Sequence, residues 1–419
     1  SGGAGGNAFI DAVSTGGAGG NGGVGVNGSG LTITNTGSII GGNGGSAGLG
    51  TAQSGTHGAG GAGIMGTGLA ITTSGAISGG LAGDGLTRAE ALSFTGGTNN
   101  LTLQSGWSLT GDIATSGTAT TLTFGLDGID AEVSNAITGT AAVVVDVAGR
   151  TLTFSGANTY SGGTTVSGGT LQIGSDGALG DAAGGVTLSN GGVLKWGATF
   201  NTDRNFTLGT GGGVIDTRGQ GLVILSGGVS GTGGLTVAEG SLLELTSINT
   251  YTGGTTVSGG TLRIGSDGAL GDAAGGVTLS DGGVLQWNST FNTARDFTLG
   301  TGGGVIDTGG QGGVTLSGDI AGTGGLTVRA GSVVTLSGSN DYTGPTHLES
   351  GILRITSNEA LNSTTALTVD AGATLEIDGF LRQVSVGSIA GDGLIHGTNG
   401  PLQFFVWGTD STDTTFGGP

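Results

Sequence analysis

The sequence predicts an all-β chain wound as a parallel β-helix (β-solenoid), drawn out into an elongated rod. Three observations point there. Glycine accounts for 103 of 419 residues, far above its usual share of about 7%. Segments of 91 residues recur in tandem, with Asn158, Asn249 and Asn340 heading equivalent stretches. Between the glycines run short segments in which apolar and polar residues alternate, the period-two signature of half-buried strands.

The repeats justify the coil. Residues 158–174 read NTYSGGTTVSGGTLQIG, residues 249–265 read NTYTGGTTVSGGTLRIG, and NDYTGPTHLESGILRIT begins at Asn340. Over the full period, roughly three-quarters of the positions in 158–248 and 249–339 are identical, which marks a repeat architecture. Each copy divides into four strand–glycine–strand units, in the first copy TTV-SGG-TLQI (164–173), VTL-SNGG-VLKW (186–196), FTL-GTGGG-VID (206–216) and LTV-AEG-SLLEL (235–245). About 23 residues per unit is a solenoid length, so the long period reads as about four turns. Leu171 and Ile173 fall on one strand face, as do Val186 with Leu188 and Phe206 with Leu208. Glycine supplies the positive φ that corners require. Strands stacked about 4.8 Å apart would make a rod on the order of 85–100 Å long.

The organisation expected along the chain is 1–86, glycine-rich coils; 87–157, connecting coils; 158–248 and 249–339, the long repeats; and 340–419, a degenerate third repeat with C-terminal coils. GSGLTITNTGSIIGG (28–42) recurs as GTGLAITTSGAISGG (66–80). The GGAGGNGG and GAGGAG runs between such units predict smaller turns or floppy glycine protrusions. No period-three glycine pervades the chain and only 3 prolines are present, which excludes collagen. The chain opens on SGGAGG and closes on TTFGGP in mid-pattern, as a piece of a longer protein would. No apolar run is long enough for a membrane-spanning helix, which takes about 20 residues.

Charge narrows the partners. With 29 acidic against 10 basic residues the formal net charge is −19. This disfavours nucleic acid, whose phosphates need Lys and Arg clusters, and anionic membrane surfaces. Cysteine is absent, so stability has to come from repetition of a core rather than from disulfides.

GRTLTFSGANTYSGGTTVSGGTLQIGSDGALG (149–180) resembles the autotransporter-associated β-strand repeat, the passenger-associated transport repeat of secreted Gram-negative proteins. The second copy (249–271) matches as well and the third more weakly. The resemblance implies a right-handed parallel β-helix at the cell surface, exported through a C-terminal β-barrel that these residues do not contain.

Candidate chemistry is sparse. Asp176 and Asp181, recurring as Asp267 and Asp272, are the best carboxylate pair available for glycoside cleavage, which needs two carboxylates about 5–9.5 Å apart. Asp beside Gly is also ordinary turn chemistry, and a catalytic pair duplicated in tandem would be unusual. GGNGGSAGL (41–49) and LAGDGL (81–86) fall short of the calcium-binding nonapeptide. His57, His347 and His396 have no partner at metal spacing. The equivalent pairs Trp196/Trp287, Phe200/Phe291 and Arg204/Arg295, and the trio Tyr160, Tyr251 and Tyr342, read as packing residues, the other reading being a row of rings that grips sugars. No catalytic, cofactor-binding or metal-binding residue is assigned, and no cofactor is expected.

The function expected is a surface-exposed or secreted adhesin or structural stalk serving cell adhesion, autoaggregation, or biofilm or filament assembly, with self-association or a host or matrix glycan or protein as partner. The alternatives are a polysaccharide-active β-helix enzyme and a passive export and folding scaffold for an effector domain.

Overall fold

The computed structural model describes residues 16–50, 54–362, 365–378, 381 and 384–398, with two further strands at Phe404–Val406 and Thr415–Phe416. The two ends of the chain lie outside this set. Among the described residues, helix is confined to two single 3₁₀ turns, Asp176–Leu179 and Asp267–Leu270. Among the described residues the strands stack in parallel, as in Val26–Ser29 with Ile64–Thr67 or Thr255–Ser258 with Val277–Ser280. The chain is a parallel β-solenoid, and it divides into two compact units, Ser1–Thr187 and Leu188–Pro419.

In the first unit the coils carry strands to three stacked sheets. One holds Val26–Ser29, Ile64–Thr67, Leu92–Phe94, Ile113–Thr115 and Ile137–Gly139. A second begins with Thr32–Asn35, Ala70–Thr73 and Thr98–Gln104, and a third holds Ser38–Ile40, Ala76–Ser78 and Ser108–Thr110. Val166, Leu171 and Ile173 sit on Val145, Leu152 and Phe154 of the coil before. All six are fully buried, as the alternating pattern requires.

The glycine runs are ordered, and this corrects the expected floppy protrusions. Segments 16–25, 41–50, 54–63 and 79–83 are extended and exchange hydrogen bonds at every third residue. Gly19, Gly22 and Gly25 donate to Thr56, Ala59 and Ala62, while Gly42, Gly45 and Gly48 donate to Gly23, Gly20 and Gly17. A period of three is that of the polyproline-II helix, which has no internal hydrogen bonds. The polar backbone is satisfied sideways instead. Segments one coil apart run parallel, and outgoing and returning segments run antiparallel, so the coils throw out glycine arms that stack on one another. The local three-residue glycine period, invisible in overall composition, is what lets the backbones touch. A Cβ at Gly22 would lie 1.8 Å from the Gly42 oxygen, whereas one at the adjacent Gly23 would meet nothing within 4 Å. Asn21 and Asn43 pin the bundle by accepting the Ala59 and Leu81 N–H groups at 2.9 and 2.8 Å.

In the second unit the stacked strands follow one another coil by coil, for example from Leu235 to Thr255, Val277, Phe297 and Ile320. The interior is a set of aliphatic columns. Leu243, Leu262, Leu285, Ile306, Val328, Leu348 and Val369 follow one another in register, each at most 1% exposed. This column also makes the long period, about four turns as expected, more exact: it is four coils and a further five residues. Four steps up from Leu262 end on Leu348, whereas the sequence equivalent of Leu262 is Leu353. Each long repeat is therefore carried five residues further round the coil than the one before it. Sequence-equivalent residues do not stand in one vertical line.

Candidate functional site

The best-built feature is the corner that opens each copy. Asn249 lies on the solenoid wall with both halves of its amide used. Its Oδ1 accepts the Val229 N–H from the coil on one side at 2.8 Å, and its Nδ2 donates to the Ala269 carbonyl on the other at 2.6 Å. Asn340 bridges Ile320 and Ala360 at 2.9 and 2.7 Å, and Asn158 bridges Ile137 and Ala178 at 2.8 and 2.6 Å. One side chain thus staples three consecutive coils. All three asparagines are buried, where a satisfied amide is retained and an unsatisfied one is costly.

Two residues on, the tyrosine turns inward. Tyr160, Tyr251 and Tyr342 are 0% exposed, and their hydroxyls share hydrogen bonds with Thr164, Thr255 and Thr346 at 2.6, 2.6 and 2.5 Å. Burial pushes the Tyr251 and Tyr342 phenols up to about 12, against a smaller opposing pull from the threonine bond. Gly271 lies on the Tyr251 ring with φ 83, and an added Cβ there would come within 2.4 Å of the Tyr251 carbonyl oxygen and 3.0 Å of the ring.

Arg295 closes the corner from the next coil. Its Nε donates to Asp267 Oδ1 at 3.0 Å. Nη1 reaches the carbonyls of Asp272 and Gly275 at 2.5 and 2.8 Å, and Nη2 those of Gly271 and Asp267 at 2.7 and 3.1 Å. A planar fork of five donors matches this ring of carbonyls in a way an ammonium does not. Its counterpart Arg204 is equally buried.

This network decides the fate of the carboxylates. Asp267 is the counter-ion of Arg295. Asp272 accepts the Ala274 N–H at 2.9 Å, and Asp181 the Ala183 N–H at 2.8 Å, the ordinary turn geometry of aspartate. In the second copy the structure thus brings together the two aspartates that the sequence singles out, but around an arginine and a tight turn rather than across a cleft. Asp84, in the calcium-like stretch LAGDGL, accepts N–H bonds from Leu86 and Thr87 at 2.8 and 3.2 Å. Those bonds, led by Leu86, hold its carboxyl below the usual range.

The histidines are scattered. His57 Nδ1 accepts the Ala47 N–H in the glycine bundle at 3.2 Å. His347 Nε2 lies 3.0 Å from Asp370 Oδ2, and His396 lies beside Glu376 on paired strands. Among the described residues no group of three His, Cys, Asp or Glu side chains could hold a metal ion. The tryptophans pack, as expected. Trp196 and Trp287 are buried and stack on Phe200 and Phe291 at 5.6 Å between centroids in both copies. Sequence reasoning missed the asparagine staple, although its signal was there: an Asn kept before a β-corner in all three copies, the diverged third included.

The passenger-associated-transport-repeat family matches residues 150–173, 243–264 and 332–355. Each match is one turn of the coil, since Leu152 pairs with Leu171, Leu243 with Leu262 and Val334 with Leu353. The chain is also similar to the adhesin BmaC autotransporter of Brucella suis biovar 1 (strain 1330), 40% identical over 185 residues that make up 41% of this chain and 5% of that protein. The chain therefore spans a small part of the length of the curated relative it matches. No solved structure matches it. The chain thus carries three single-turn copies that match the passenger-associated transport repeat, each with its own asparagine staple and buried tyrosine, and part of it is similar to an autotransporter adhesin.

Proposed function

We propose that this passenger segment is an adhesin stalk displayed at, or released from, the bacterial surface. The observation that carries the reading is its similarity to an autotransporter named as an adhesin, on a fold whose recurring polar residues are spent on holding coils together. Asn249, Tyr251, Arg295 and Asp267 all bond within the structure. Paired side chains such as Arg329 with Glu349 and Arg354 with Glu376 link neighbouring coils on the outside. Such a surface is polar, rigid and repetitive, which suits many weak contacts made at once rather than one catalytic contact. Self-association of cells and attachment to a host or matrix are both served by it.

The test is display. The chain, fused to an unrelated outer-membrane β-barrel in a non-adherent Gram-negative strain, is expected to raise attachment to coated surfaces and the rate of cell settling. An inert coil displayed in the same way gives the baseline. Attachment and settling no greater than that baseline would overturn the adhesin reading.

A further inference from the structure

One face of the second unit carries a feature that the stapled corners do not explain. Outward side chains Val214, Thr236, Thr256, Thr278 and Thr298 follow one another in register, one per coil, about 4.8 Å apart. Beside them the glycine corners Gly212, Gly234, Gly254 and Gly276 form the floor of a trench. Two recesses of about 140 and 310 Å³ meet at Thr256. The trench is kept open by the backbone. At Gly212, with φ 67, an added Cβ would lie 2.5 Å from the Gly234 oxygen, so no side chain can fill it.

The hydroxyls along the trench are left unused. Ser226, Ser230, Thr246 and Ser317, on other ridges, donate to carbonyls of the coil before. Among the described residues no hydrogen bond is made by the hydroxyls of Thr236, Thr256, Thr278 or Thr298. Neither recess is lined by Lys or Arg, and Asp296 is the one charged side chain at their edge. The same trench recurs one long repeat later at Val305, Thr327 and His347, as a recess of about 440 Å³.

We propose that this threonine-edged trench binds a linear uncharged polysaccharide lying along the coil axis; the inference rests on the adhesin reading and names its ligand class. A polyanion finds no lysine or arginine in the trench, an aspartate at its edge, and a chain whose formal net charge is −19. An added peptide strand finds no free edge, because the strands beneath are paired on both sides. A neutral sugar chain offers hydroxyls that both donate and accept, at a regular spacing, to side-chain hydroxyls that do the same. Each contact is weak, and the two copies of the trench add by avidity.

Affinity electrophoresis of the purified full chain tests this, in gels holding hydroxyethyl cellulose or glucomannan, with heparin as the charged control. The neutral polymers are expected to retard the chain and heparin is not. The triple variant Thr236→Val, Thr256→Val, Thr278→Val keeps the β-branched shape and is expected to lose at least tenfold in association constant with an unchanged melting curve. Thr256→Arg, which blocks the meeting point of the recesses, is expected to do the same. No retardation by either neutral polymer, equal retardation by heparin, or retardation that survives both variants overturns the proposal. Since the gels use purified protein and the display test uses cells, loss of one result leaves the other readable.

Discussion

The guanidinium Nε of Arg295 lies 3.0 Å from Oδ1 of Asp267, a residue 28 positions earlier in the chain and one coil away. The side chain of Arg295 is 2% exposed and that of Asp267 33%, so the pair is unequal. The arginine is held mainly by carbonyls, and the aspartate supplies the charge.

Arg295→Lys is therefore expected to destabilise the chain by about 3 kcal/mol, because a buried ammonium cannot meet several separated carbonyls and the carboxylate together. Asp267→Asn leaves the carbonyl ring intact and is expected to cost about 1 kcal/mol. Urea denaturation of the two variants checks the order. Equal losses would show that the ion pair, not the carbonyl ring, holds the corner.

Asn249→Leu removes the staple on both sides, orphaning the Val229 N–H and the Ala269 carbonyl. The expected loss is about 2–6 kcal/mol, since each unsatisfied buried group costs about 1–3. Hydrogen exchange should quicken at Val229 in particular. Asn249→Asp keeps the acceptor and should preserve protection there while losing stability.

The tyrosines give a pH window. All 3 tyrosines of the chain are 0% exposed, and Tyr251 and Tyr342 are raised from 10.0 to about 12 by burial. The folded state holds the phenolic proton more tightly than the unfolded state, so the stability due to burying it is complete below pH 10. It falls as pH rises from 10 towards 12, by about 1.4 kcal/mol per pH unit for each tyrosine. Denaturation midpoints at pH 9, 10 and 11 should show the decline, and Tyr251→Phe should make it shallower. Phenolate absorbance appearing near pH 10 in the folded protein would contradict the buried assignment.

Gly22→Ala and Gly23→Ala differ by one position and should differ sharply. The first drives a methyl into the Gly42 carbonyl and is expected to raise hydrogen-exchange rates across the glycine bundle more than tenfold. The second enters open space and is expected to change stability by no more than about 0.5 kcal/mol. A matching response in both variants would rule out the packed bundle.

The two tryptophans allow an internal comparison. Trp196 Nε1 donates to the Phe200 carbonyl at 3.2 Å, whereas Trp287 Nε1 is buried without a hydrogen-bond partner among the described residues. Trp196→Phe should therefore cost about 1 kcal/mol more than Trp287→Phe, measured by thermal melting on the same background.

Much of this protein was legible in the sequence, for a physical reason. Alternating strands such as TLQI and VTL state which residues face inward, and Leu171, Ile173, Val186 and Leu188 are buried as that pattern requires. The tandem copies state that the chain stacks on itself, and the turn-type Asp-Gly setting pointed to a structural role for the aspartates, borne by Asp272 in its turn and by Asp267 on its arginine. The sequence does not state where a coil closes. That depends on how each coil wraps around side chains of particular volume, and it sets the advance of each repeat round the wall. Only the tertiary structure could therefore align Thr236, Thr256, Thr278 and Thr298, residues from different positions of the repeat, along one trench. It alone could show that glycine runs with no side chain to bury order themselves by lateral hydrogen bonds, since those bonds join backbones a whole coil apart and leave no mark in apolar patterning.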